Sequence, residues 1–306
     1  MIYKKAELLN MYNMDLEDLL NISSQYVKNE VEFCSLINAR NGKCSQNCKY
    51  CAQSSHYCTN IESFPLVEIK DVVEMAKEAK SNHASRFAIV TSGKTPDEGR
   101  DFNIELDMIR EINKIDGLKS CASIGILTEE QAKALADAGL KRFHHNINTC
   151  RSYYPEVCTT HSYEDRINTC KLVKKYGMEL CCGVILGMGE TIEQRIEMAL
   201  ELAEIQPDSI PINILMPIKE TPFENYFDKI DEENVLRTLA IFKITNPNAV
   251  LRFCGGRMKL SEENQRKALK TCVEGILIGN YLTTVGKNPQ DDIETVKNIG
   301  KVILQY

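Results

Sequence analysis

The chain has 306 residues, is 43% hydrophobic and carries a formal net charge of −6. That length buries a full core and suits one α/β barrel, and no stretch is basic enough to hold nucleic acid. The opening MIYKKAELLNMYNMDLEDLL is broken by charges throughout, so it is neither a signal peptide nor a membrane span. These features predict a cytoplasmic protein with a small-molecule substrate.

Residues 1–28 read as a helical extension. β-branched runs then predict strands at 30–38, 85–91, 118–124, 141–147, 178–186, 209–215, 249–254 and 275–278. Between them run amphipathic stretches such as IKDVVEMAKEAKSN, TEEQAKALADAG, SYEDRINTCKLVKKYG and TIEQRIEMALELAEI. Their apolar residues recur at three and four, and two of them end in a glycine suited to a helix C-terminus. Strands alternating with helices predict a parallel sheet closed into a (βα)8 TIM-type barrel, a single domain over 1–306.

Thirteen cysteines are many for a reducing compartment, where clustered thiols read as metal or redox ligands and an odd count fits poorly with paired disulfides. Three of them, Cys44, Cys48 and Cys51, form C-x3-C-x2-C in a loop just after the first strand. Closely spaced thiolates on one loop suit an iron–sulfur cluster. Three ligands leave one iron of a 4Fe–4S cluster open to chelate a substrate. The zinc alternative wants a fourth ligand, which His56 could supply.

With Tyr50 just before the last cysteine, this motif is similar to that of the radical S-adenosylmethionine superfamily. CKYCAQSSHY, GILTEEQAKALADAGL, HHNINT, CCGVILGMGET, IPINIL, RFCGGR and YLTT resemble the biotin synthase family over most of the chain. The resemblance implies a 4Fe–4S cluster on Cys44, Cys48 and Cys51, with S-adenosyl-L-methionine on its open iron. It implies dethiobiotin as substrate, an electron donor such as flavodoxin or ferredoxin, and a homodimer. It places Tyr50 against adenine and Gly187, Gly189 and Glu190 at the methionyl amino group. A plain strand-to-helix turn would use the same glycines and acid. Asn146 and Asn213 fall where the family holds the ureido ring of dethiobiotin. Asn148 stands where the family usually has an aspartate near the ribose. Thr283 and Thr284 match residues near the substrate's carboxylate tail.

The family commonly binds a second cluster, of 2Fe–2S type, through three strand cysteines and one arginine. Cys121, Cys181 and Arg252 match three of these four. The strand-two position is Ala88, so the usual ligand set is incomplete. Cys254 shares a strand face with Arg252, and Cys34 stands where the family usually carries a serine facing the same cavity. The expectation is an auxiliary cluster of 4Fe type held by three or four of Cys34, Cys121, Cys181 and Cys254, as sulfur donor. Cys182 points the opposite way. Cys58, Cys150, Cys158, Cys170 and Cys272 receive no role, and His83, His144, His145 and His161 form no spaced metal pair. Two other classes compete: a hydrogenase-maturase-like or methylornithine-synthase-like radical enzyme, and a non-catalytic iron–sulfur protein.

Overall fold

The computed structural model describes residues 3–96, 99–226, 231–280 and 286–306. Helices α1 (Lys5–Tyr12) and α2 (Leu16–Ser24) come first, and Asp15 caps the second by accepting from the Glu17 and Asp18 amides. The strands β1 (Glu30–Arg40), β2 (Arg86–Thr91), β3 (Lys119–Ser123) and β4 (Arg142–His144) follow. After them come β5 (Glu179–Cys181), β6 (Val184–Leu186), β7 (Ser209–Ile214), β8 (Val250–Phe253), β9 (Gly275–Leu277) and β10 (Val302–Ile303). The helices between them are α3 (Ile69–Ser81), α4 (Arg100–Ile112), α5 (Glu129–Asp137), α6 (Tyr154–Val157), α7 (Tyr163–Lys175) and α8 (Ile192–Ile205). The last three are α9 (Glu232–Thr245), α10 (Glu262–Thr271) and α11 (Pro289–Asn298).

Strand β1 pairs in parallel with both β2 and β9, and this closes the barrel. Short β10 adds to the start of β1. Period-two alternation divides each stave between helices and lumen. Phe33, Phe87, Phe143, Leu180, Leu251 and Ile276 are fully buried under the helices. Their neighbours Cys34, Ala88, His144, Cys181, Arg252 and Leu277 line the lumen. Fully burying each such apolar side chain contributes roughly 1.5–3 kcal/mol.

The expected fifth strand is two strands. The chain breaks at Cys182-Gly183, because β7 approaches so closely that a Cβ on Gly183 would lie 1.9 Å from the Pro211 carbonyl oxygen. The expected fourth strand ends early, at His144, and its continuation meets the neighbouring strands through the hydrogen bond from His145 N to the Cys181 carbonyl (2.8 Å) and the bridge Asn148↔Val184. Helix starts follow their sequence signals: Thr128, Ser162 and Thr191 each close a capping box. Gly139 and Gly177 take left-handed conformations after α5 and α7, as their positions predict.

The N-terminal helices are tied to the barrel's outer helices. Tyr12 Oη donates to Asn234 Oδ1 (3.1 Å), Arg237 Nη1 donates to the Tyr12 and Met14 carbonyls, and Lys5 pairs with Glu197. Among the described residues, no helix is long and apolar enough to cross a membrane.

Candidate active site

The loop after β1 is pinned by its own backbone. The Cys44 amide donates to the Gln53 carbonyl (2.9 Å), Ser55 N donates back to the Cys44 carbonyl (2.8 Å), and Cys51 N donates to the Cys48 carbonyl (3.0 Å). The three thiols therefore face one cavity of about 250 Å³, which Thr91 at the end of β2 and the following Ser92, Gly93 and Lys94 also line. Burial pushes the Cys51 thiol up to about 11, so a cluster held there would have to displace its proton. His56 is exposed, and its Nε2 lies 3.1 Å from the Ser45 carbonyl. The described residues whose ligand atoms lie close enough to share one ion are Cys48, Cys158 and His161, without His56. All thirteen cysteines are free, and three converging thiols in a roomy cavity are the donor set that a cluster with one open iron needs.

A second cavity, about 330 Å³, fills the lumen below. Cys34, Cys121, Cys181 and Cys254 all line it, from β1, β3, β5 and the end of β8. Burial pushes all four thiols up, Cys121 to about 11. Ala88 lies in register with Cys121, so a methyl occupies the neighbouring stave's inward position. Arg252 donates from Nη1 to Cys34 Sγ (3.1 Å).

Below the sulfurs lies an ion network. The Glu32 carboxylate takes Arg86 (2.7 Å), Arg142 (2.8 Å) and Arg252, and Glu179 binds Arg86 and Arg142 from the other side. Burial opposes the Glu32 charge, but the three guanidinium groups outweigh it and hold its carboxyl far below the usual range. Arg86 lines the cavity too, and its buried Nη1 has no hydrogen-bond partner among the described residues. Four thiols facing an orphaned guanidinium N–H fit an anionic iron–sulfur group.

The two cavities share a wall made by Tyr50, Ser123, His144, Asn146 and Asn148. Asn146 Oδ1 accepts from Gly183 N (2.9 Å), while its amide Nδ2 makes no hydrogen bond among the described residues. Asn213 spans β6 and the end of β8, donating to the Val184 carbonyl (3.3 Å) and accepting from Gly255 N (3.1 Å).

Comparison with known proteins agrees with this geometry. Residues 40–203 match the Radical SAM superfamily, and 211–301 match the Biotin and Thiamin Synthesis associated domain. The biotin synthase of Acetivibrio thermocellus is 48% identical over 270 residues, covering 88% of this chain and 83% of that protein. The biotin synthase of Clostridium tetani is 43% identical, covering 94% and 89%. The chain belongs to the biotin synthase family. Among solved structures, methylornithine synthase superposes with a TM-score of 0.82 at 17% identity, covering 98% of this chain and 94% of that one. A maturase of the [FeFe]-hydrogenase gives 0.83 at 14%, covering 98% and 72%. Those two likenesses concern the fold alone.

Within this biotin synthase family barrel, the other expected site residues fall in different places. Gly187, Gly189 and Glu190 line neither cavity. The Glu190 carboxylate accepts from Gly187 N and Met188 N (2.8 Å each) and from Arg195 (2.9 Å), and Tyr153 Oη donates to the Met188 carbonyl (2.8 Å). Asn148 adopts a left-handed φ of 67°, which asparagine tolerates. Thr283 and Thr284 lie outside the described residues. Cys182 faces away from the lumen, 3.9 Å from Cys170, as its parity predicts.

Sequence reasoning missed three features. His144 points into the lumen with Nδ1 3.3 Å from Cys181 Sγ, and burial pushes its pKa down to about 4. Its inward parity was the available signal. His145 lines the loop cavity, and its buried Nε2 has no partner among the described residues. Cys158 and His161 stand against Cys48, and no local spacing announces a contact made across 110 residues.

Proposed function

We propose that this chain inserts sulfur into dethiobiotin to give biotin, removing hydrogen atoms from two saturated carbons. The observation that carries this reading is the pair of cavities. A three-thiol loop and a four-thiol lumen are separated only by a wall that holds Asn146 and Asn148. The loop cluster with S-adenosylmethionine supplies a radical able to take hydrogen from an unactivated carbon, and an auxiliary 4Fe-type cluster supplies sulfur.

Cys44, Cys48 and Cys51 hold the first group. Three or four of Cys34, Cys121, Cys181 and Cys254 hold the second, with Arg252 and Arg86 balancing its charge. Ala88 supports the larger cluster, since the stave that would complete a smaller one offers no ligand. Asn146 presents its unengaged amide to the ureido ring, and Asn213, which lines the same cavity, holds that ring with it. In this reading Tyr50 lies against the adenine and Asn148 near the ribose, and Thr283 and Thr284 belong to the substrate's tail. The whole chain acts as one barrel domain with 1–28 as its extension. It works as a cytoplasmic homodimer and draws electrons from a flavodoxin or ferredoxin.

The test is anaerobic reconstitution with iron, sulfide, S-adenosylmethionine and dethiobiotin. The expected result is biotin together with 5′-deoxyadenosine, and about eight irons per chain if both clusters are of 4Fe type. Cofactor cleavage with no biotin would overturn the substrate. About six irons would return the second cluster to 2Fe–2S.

A further inference from the structure

Cys158 follows α6 and is buried, with its sulfur 3.7 Å from that of Cys48. Donor and acceptor accounting decides which way this contact runs. Arg166 is fixed on three sides: Nε donates to Tyr154 Oη (2.6 Å), Nη1 to the Asn146 carbonyl (2.8 Å) and Nη2 to His161 Nε2 (2.9 Å). An arginine only donates, so His161 Nε2 is the accepting nitrogen and its proton sits on Nδ1. That N–H is shared between Gln46 Oε1 (2.9 Å) and Cys158 Sγ (3.3 Å). With both ring nitrogens engaged, His161 is unsuited to hold an ion with Cys48 and Cys158, close as the three lie.

The Cys158 sulfur thus accepts from His161 and must place its own proton elsewhere. Asn47 Oδ1, at 3.4 Å, already takes Thr159 N, Thr160 N and Thr160 Oγ1. Thr160 Oγ1, at 3.5 Å, accepts from Asn47 N and donates to Asn47 Oδ1, which leaves it one neutral lone pair. Cys48, at 3.7 Å, is the third acceptor in reach, and the one of the three that turns anionic. Bound to iron it is a thiolate with no proton to give, and an anionic acceptor makes the stronger bond.

We propose that Cys158 is a positioning residue of the loop cluster. Its S–H donates to the iron-bound Cys48 thiolate, at the end of a relay running from Arg166 through His161. Reduction adds negative charge to the cluster, so a donor aimed at one of its sulfurs favours the reduced state and raises the potential. The same guanidinium holds the Asn146 carbonyl, so one cation braces both the reducing end and the shared wall. This inference rests on the reading of Cys44, Cys48 and Cys51 as cluster ligands.

The experiment is a redox titration of anaerobic holoenzyme followed by electron paramagnetic resonance, reading the signal that changes when S-adenosylmethionine is added. Cys158→Val should make reduction of that cluster about tenfold less favourable, a downward shift of about 59 mV for one electron, with iron content unchanged. Cys158→Ser keeps an O–H donor and should match or exceed wild type. A Cys158→Val enzyme with full iron and an unmoved potential overturns the proposal. If valine prevents cluster assembly, Cys158→Ser decides alone: a potential below wild type overturns the proposal, and one at or above it supports it. If no signal in wild type responds to S-adenosylmethionine, the cluster reading fails instead.

Discussion

The two cysteine sets of this barrel are built in opposite ways. Cys44, Cys48 and Cys51 come from one short loop, whose backbone hydrogen bonds fix their spacing locally. Cys34, Cys121, Cys181 and Cys254 come from four separate staves and meet only because the sheet closes in register. A local set survives remote strain. A set assembled across the lumen depends on every pairing beneath it, and on the Glu32 network that sits under its sulfurs.

The sharpest way to break this comparison is to remove one ligand from each set. Cys44→Ala should abolish S-adenosylmethionine cleavage and biotin formation together, as read by 5′-deoxyadenosine release. Cys181→Ala should abolish biotin formation yet keep cofactor cleavage; loss of both would mean that the sets are not independent. Next in size is Glu32→Gln, which leaves three buried guanidinium groups short of an anion and should cost about 3–5 kcal/mol in urea unfolding of the metal-free protein. The sign with pH follows from the depressed folded-state pKa of Glu32. Its stabilisation is complete above the unfolded carboxylate pKa, about 4.3, and is lost as pH falls further. The variant should therefore unfold with a flatter acid limb. The smallest effect tests the strand set from within. Cys34→Ala or Cys254→Ala should lower iron per chain and leave the loop cluster's spectrum unchanged, and iron equal to wild type in the double variant would remove both from the ligand set.

The same contrast explains what was legible. The loop motif is a spacing within one segment, so residue order carried it. The strand set needed parity as well: Cys34 and Cys181 are inward only if their strands begin on the right residue, and Phe33 and Leu180 beside them, fully buried under the helices, confirm that phase. Other features had no local trace. Gly183 splits a strand because of Pro211, which belongs to the next stave. Glu32 in a strand reads as a solvent-facing residue until closure brings Arg86, Arg142 and Arg252 around it. Glu190, with its glycines, was legible as a motif, but its carboxylate folds back onto its own turn.

The ion network at the barrel's lower end also acts as a fixed field. Burial works against every charge in it, yet Glu32 and Glu179 are held below their usual range, and Arg86, Arg142 and Arg252 above theirs. None of these groups exchanges a proton near neutrality, so this end of the lumen is a set of permanent charges rather than a buffer. Acidification of the surroundings recharges the surface while the buried sulfurs go on meeting the same potential. These five charges therefore contribute no pH dependence of their own to chemistry near neutrality.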